Sequence, residues 1–122
     1  MPRFVVLRHE SPRGLHWDFM LEMGTALATW ALPEPPDATA AMLAEALADH
    51  RLAYLDYEGP ISGGRGSVTR WDRGTYVLGR RTDTELVVTL DGARLAGTAA
   101  LEQLPDDPNR WRFSYTPRGK KR

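Results

Sequence analysis

The apolar positions of the first third of the chain follow a β period. Phe4 to Arg8 is a short β-branched and aromatic run that reads as a strand, closed by the turn material Ser11-Pro12-Arg13-Gly14. His16 to Met23 then alternates strictly, which places His16, Asp18, Met20 and Glu22 on one face and Trp17, Phe19, Leu21 and Met23 on the other. The second face is core. Thr25 to Leu32 reads as a hairpin partner across Met23-Gly24 and ends at the breaker Pro33-Glu34-Pro35-Pro36. Asp37 is a credible N-cap for a helix over Ala38 to Ala48, a stretch rich in Ala, Leu and Met.

Beyond that helix come Leu52 to Tyr57, a Gly-rich loop from Gly59 to Gly66, and a string of short strands. These are expected at Ser67–Trp71, Thr75–Leu78, Glu85–Leu90, Ala93–Leu101 and Arg110–Tyr115, with Asp72-Arg73-Gly74, Asp91-Gly92 and Pro105-Asp106-Asp107-Pro108 as turns. About six to eight short strands with one flanking helix make a mainly β (α+β) fold, an antiparallel sheet that curls into a small barrel or sandwich. One domain over residues 1–117 is expected, followed by a basic tail over residues 118–122.

Composition adds exclusions. At 42% hydrophobic and 26% charged residues, the chain has the make-up of a folded globular domain. It contains no cysteine, which rules out disulfide frameworks, zinc ribbons and thiol nucleophiles, so a bound metal must use His, Asp or Glu. No apolar run reaches membrane-spanning length and the N-terminus meets charge early, so no membrane association and a cytoplasmic location are expected. Sixteen basic and sixteen acidic residues cancel. Acidic residues nevertheless thin out around Arg65, Arg70, Arg73, Arg80 and Arg81, a local basic stretch.

His16 and Asp18, two apart on a strand, leave the same face and can converge on one ion. His9, from the facing strand, completes a set of two imidazoles and one carboxylate, a recurrent arrangement for Mn²⁺ or Fe²⁺ that leaves positions open for substrate. Glu22 is placed to accept the second N–H of a ligating imidazole. From spacing alone, such a pair is more often a solvated pair or a hydrogen-bonded core histidine than a metal site.

Phe4-Val-Val-Leu-Arg-His9 followed by Leu15-His-Trp-Asp-Phe-Met-Leu-Glu22 resembles the signature that opens the 3′-phosphoesterase domain of bacterial DNA ligase D. The resemblance continues through Thr29-Trp-Ala-Leu-Pro33, Asp49-His50, Leu52 to Gly59, Gly66 to Thr75, Leu90 to Gly97 and the Trp111 strand, in order and over nearly the whole chain. It implies a small β-barrel and a Mn²⁺-dependent enzyme of end-joining repair that removes a 3′-terminal ribonucleoside and then the remaining 3′-phosphate. By residue, it implies that His9, His16 and Asp18 hold the metal and that His50 and Tyr54 engage the scissile phosphate. Arg13 falls in the basic turn before the Leu-His motif and, with Arg65, is a candidate phosphate-binding residue. The implied partner is a nucleic-acid 3′ end, with a separate ligase, polymerase or Ku protein beside it.

The chain departs from the family pattern at several cations. Met20 stands where the family has arginine two residues after the metal-binding Asp, Glu34 where it has lysine, and the segment Ala38–Ala48 lacks an expected arginine. Each lost contact to a phosphoryl group costs on the order of 2 to 4 kcal/mol of transition-state stabilisation in a dry site. Weak activity is therefore expected, with an arginine at position 20 raising it. Two further readings accompany the hydrolase: a non-catalytic end-binding module that keeps the metal, and an iron oxygenase using His16, Asp18 and His50, for which no 2-oxo-acid anchor is evident.

Overall fold

The alternating segment forms β2 (Gly14–Met23), flanked by β1 (Arg3–Ser11) and β3 (Ala26–Leu32) in antiparallel hairpins. The computed structural model describes residues 1–119. After β4 (Met42–Arg51) come a 3-10 turn (Leu52–Leu55) and β5 (Gly59–Pro60). The remainder is β6 (Ser67–Arg81), β7 (Glu85–Gly92), β8 (Ala96–Leu104) and β9 (Asp107–Pro117). Neighbours run β1-β2-β3-β4-β9-β8-β7-β6, and β6 pairs again with β1, so eight antiparallel strands close into a barrel with β5 appended to β6. Closure leaves no open sheet edge in the ring.

Every strand of the ring sends residues inward. Phe4 and Val6, Phe19 and Leu21, Trp30 and Leu32, Tyr76, Leu90, Leu101 and Phe113 are buried together. Phe19 packs edge-on against Phe113 at 5.3 Å between ring centroids, and Trp30 against Trp111 at 5.8 Å. Each fully buried phenylalanine contributes about 1.5–3 kcal/mol over its exposed state. The expected core face of β2 is therefore the barrel interior.

The alternate residues of β1 and β2 are buried as well, on the outside of the ring. Val5, Leu7, Met20, Leu27, Leu55 and Val68 form a second cluster, covered by Leu52, Tyr54, Tyr57 and Ile61 from the segment after β4. That cover is what builds a site on the outer face of β1 and β2 rather than inside the barrel.

The helix expected over Ala38–Ala48 is instead strand β4. The helical preference of Ala and Leu is worth less than about 1 kcal/mol per residue. Without β4, the inner edges of β3 and β9 would lose their ladder partners. Its inward positions, Met42, Ala44 and Ala46, pack against the interior cluster, where small residues leave room for the Trp30 and Trp111 rings. Among the described residues, helix is confined to the 3-10 turn Leu52–Leu55.

Asp72-Arg73-Gly74 is not a turn between two strands but part of the continuous β6. The buried Asp72 carboxylate accepts the Ala93 N–H at 2.9 Å and the Leu95 N–H at 2.8 Å, so it organises the β7–β8 turn from within β6. At the tail, Arg118 Nη2 lies 3.7 Å from the Asp91 carboxylate. Lys120, Lys121 and Arg122 of the expected basic tail lie outside the described residues. Among the described residues no helix is long and apolar enough to cross a membrane.

Candidate functional site

The tight Ser11–Gly14 turn sets the register that makes the site. Ser11 Oγ donates to the Gly14 carbonyl at 3.0 Å and accepts the Arg13 N–H at 3.2 Å. With this turn, His9 of β1 stands directly opposite His16 of β2, and Asp18 opposite Leu7. Directly opposed residues share a face, so both imidazoles and the carboxylate emerge on the covered outer side. The His9 and His16 rings are 4.5 Å apart at their centroids. One potential ligand atom from each of His9, His16 and Asp18 lies within 4.8 Å of the others.

The electrostatics of this cluster are unbalanced in a way that a cation would resolve. Asp18 is only 2% exposed. Its Oδ2 lies 3.0 Å from His9 Nδ1, and its Oδ1 lies 3.0 Å from His16 Nε2 without meeting hydrogen-bond geometry, leaving a buried carboxylate oxygen unsatisfied. Such an atom costs about 1–3 kcal/mol. His9 Nε2 is 2.8 Å from the main-chain oxygen of Arg65. A carbonyl only accepts, so Nε2 carries a ring proton and Nδ1 is the nitrogen that faces the carboxylate. Either a second ring proton or a cation must lie between them. Two imidazole nitrogens and a carboxylate oxygen converging in this way fit a divalent transition metal with positions left open.

The acceptor that orients His9 is thus the Arg65 carbonyl, supplied by a loop, and not Glu22. Glu22 sits four residues past Asp18 on the same strand, about 13 Å along it, where its carboxylate accepts the Arg3 N–H at 2.8 Å. The loop that carries Arg65 is held by Gly66, whose φ of +89° suits glycine and whose missing Cβ would fall 1.8 Å from the Glu10 carbonyl oxygen. Ile61 N–H donates to Gly66 O at 2.7 Å, and the Arg65 guanidinium donates to Ser62 O at 2.8 Å, closing the loop on itself.

A groove of about 930 Å³ opens beside the cluster, bounded by the Ser11–Gly14 turn, the Gly64-Arg65 loop, the outer face of β4 and the start of β9. Arg13, Arg65 and His50 line it together with His9, His16 and Asp18. His50 Nδ1–H donates to the Ala48 carbonyl at 2.9 Å, which leaves Nε2 as its second nitrogen. Tyr54 does not line the groove. Its ring packs edge-on against His50 at 5.6 Å and against Tyr57 at 5.8 Å, over the outer apolar cluster.

Met20 shares the outer face with Asp18 but is 1% exposed beneath the 3-10 turn and does not reach the groove wall. An arginine at this position would start from a closed apolar pocket, which overturns the expectation that it would simply face a phosphate. Glu34 is exposed and lies outside the groove lining. The arginines of the basic stretch are dispersed rather than gathered: Arg73 is 3.4 Å from Asp56, and Arg80 is 2.5 Å from Glu85. Sequence reasoning missed Arg110, a groove residue on β9 brought in by the pairing of β9 with β4.

Residues 7–103 match the family described as the DNA Ligase D 3′-phosphoesterase domain. The chain is 37% identical over 117 residues, 88% of its length, to a multifunctional non-homologous end joining DNA repair protein LigD of Mycobacterium tuberculosis. It is 39% identical over 105 residues, 78% of its length, to a multifunctional non-homologous end joining protein LigD of Pseudomonas aeruginosa. A LigD of Mycolicibacterium smegmatis is 34% identical over 117 residues, 83% of the chain. The chain spans 15%, 12% and 15% of these three proteins respectively. With a family match over most of its length and relatives at 34% to 39% identity, the chain belongs to the DNA ligase D 3′-phosphoesterase domain family.

Proposed function

We propose that this domain is a metal-dependent phosphoesterase acting on the 3′ end of nucleic acid, removing a terminal ribonucleoside and then the 3′-phosphate. The observation that carries the reading is the convergence of His9, His16 and Asp18, with an unsatisfied buried carboxylate oxygen, at the head of a groove that also holds His50, Arg13 and Arg65. His9, His16 and Asp18 are the residues that would hold Mn²⁺, which when bound supplies Lewis-acid polarisation of a phosphoryl oxygen and lowers the pKa of water.

The protein's own groups do the rest. The Arg65 carbonyl fixes the tautomer and tilt of His9. Arg13 offers a planar fork of donors to the non-bridging phosphoryl oxygens, and Arg65 adds the guanidinium N–H groups that Ser62 does not take. As the imidazolium, His50 keeps Nδ1–H on Ala48 and gives its Nε2 proton to the leaving oxygen, ending as the neutral imidazole. Tyr54 acts behind His50, setting the plane of its ring.

The test uses purified protein, Mn²⁺ and a DNA strand ending in one ribonucleotide, with products resolved on a denaturing gel. The expected course is loss of the ribonucleoside, then conversion of 3′-phosphate to 3′-hydroxyl, and neither step with His50→Ala. Protein that binds Mn²⁺ and the strand yet forms no product would instead be an end-binding module.

A further inference from the structure

A cross-strand row runs over the floor of the groove. Asp18 stands opposite Ala31, Ala31 opposite Glu45, and Glu45 opposite Arg110. Opposed residues share a face, and all four line the groove. With strands spaced by about 4.8 Å, Arg110 lies about 14 Å from Asp18 at Cα. The Arg110 side chain is 59% exposed, and its Nε lies 3.7 Å from the Asp107 carboxylate.

We propose that Arg110 binds a backbone phosphate upstream of the 3′-terminal one, so that the strand crosses β3 and β4 between the ligand cluster and β9. This rests on the 3′-end reading above. Two strands, β3 and β4, lie between Asp18 and Arg110, a span that a polymer lying in the groove covers. The floor between them is open at Ala31, whose methyl leaves room for the strand, while Leu43 and Leu47 on β4 offer apolar surface to sugar or base. Arg110 is thus a specificity-determining residue that favours a polynucleotide over a small phosphate ester. Asp107 holds its charge until a phosphate displaces it.

Binding is measured by fluorescence anisotropy of a single-stranded 3′-hydroxyl oligonucleotide, the reaction product, with Mn²⁺ present, so that the readout is independent of turnover. Arg110→Gln, on an exposed side chain, is expected to keep the melting temperature and weaken binding roughly three- to fivefold. The slope of log affinity against log salt should drop by about 0.7, one phosphate contact on a single strand. Glu45→Gln should tighten binding. A single uncharged methylphosphonate linkage is then walked back from the 3′ end. At one position near the end it should weaken the parent but not Arg110→Gln. An unchanged salt slope, or losses that add at every position, would overturn the proposal. Coupling without hydrolysis in the gel assay would keep Arg110 and remove the phosphoesterase reading; hydrolysis without coupling would do the reverse.

Discussion

His9 and Arg65 are joined through 2.8 Å between the imidazole Nε2 and a main-chain oxygen, so a loop 56 positions away in sequence decides which ring nitrogen faces Asp18. The loop sits there because Gly66 lets it press onto β1. Gly66→Ala should push it off, leave His9 free to rotate, and lower Mn²⁺ affinity by about 10- to 100-fold. Calorimetry checks this, and unchanged affinity would mean that the carbonyl has no bearing on the cluster.

Metal binding should be visible as stability. Mn²⁺ at 100 times its dissociation constant stabilises the folded state by about 2.7 kcal/mol, on the order of 10 °C in melting temperature for a domain of this size. His16→Ala and Asp18→Asn should abolish that rise. A Mn²⁺-dependent rise that survives both substitutions places the ion elsewhere.

His50 should separate metal binding from chemistry. Its Nδ1 is occupied by Ala48 and the candidate ligand set is complete without it. His50→Ala should hold Mn²⁺ affinity within a few-fold while hydrolysis disappears. Parallel loss of the metal would make His50 a fourth ligand.

Met20→Arg should damage the fold before it touches activity. The side chain is 1% exposed among Val5, Leu7, Leu27 and Leu55, and an unpaired charge placed there costs at least about 3 kcal/mol. Urea denaturation gives the loss directly. A fully stable variant with raised turnover would show that the 3-10 turn lifts to let the guanidinium out.

Tyr76 gives the barrel an alkaline limit. Its hydroxyl donates to the Glu22 carbonyl at 2.8 Å, and burial, with the Glu22 charge adding to it and Arg81 opposing, raises its pKa above the usual 10.0. The neutral form is the one that the fold favours. Its contribution is therefore complete below about pH 10 and is lost as pH climbs through the raised folded-state value. Tyr76→Phe should cost about 1 kcal/mol at neutral pH and flatten the fall in melting temperature above about pH 10. A wild-type alkaline slope in Tyr76→Phe would assign that limit to another group.

Period two made β2 legible, because Trp17, Phe19, Leu21 and Met23 have nowhere to go but the interior. It also put His16 and Asp18 on one face, while the turn before them brought His9 alongside. β4 was illegible because two of its three inward residues are alanines, which stand opposite Trp30 and Trp111 and read by composition as helix. Asp72 was read as a turn residue since its real partners, the Ala93 and Leu95 N–H groups, lie a hairpin away. Arg65 acts through its carbonyl, which no residue type advertises. Arg110 joins the groove only through β4–β9 pairing, a long-range event that no local spacing encodes.

β1 is the strand on which the ring closes, bonded to β2 on one flank and β6 on the other, with His9 facing His16 across the first and Val68 across the second. Pulling His9 away from His16 therefore means rupturing the seam of the barrel. Amide exchange along β1 should require the free energy of global opening under mildly denaturing conditions, so that the two imidazoles stay face to face for as long as the barrel is closed.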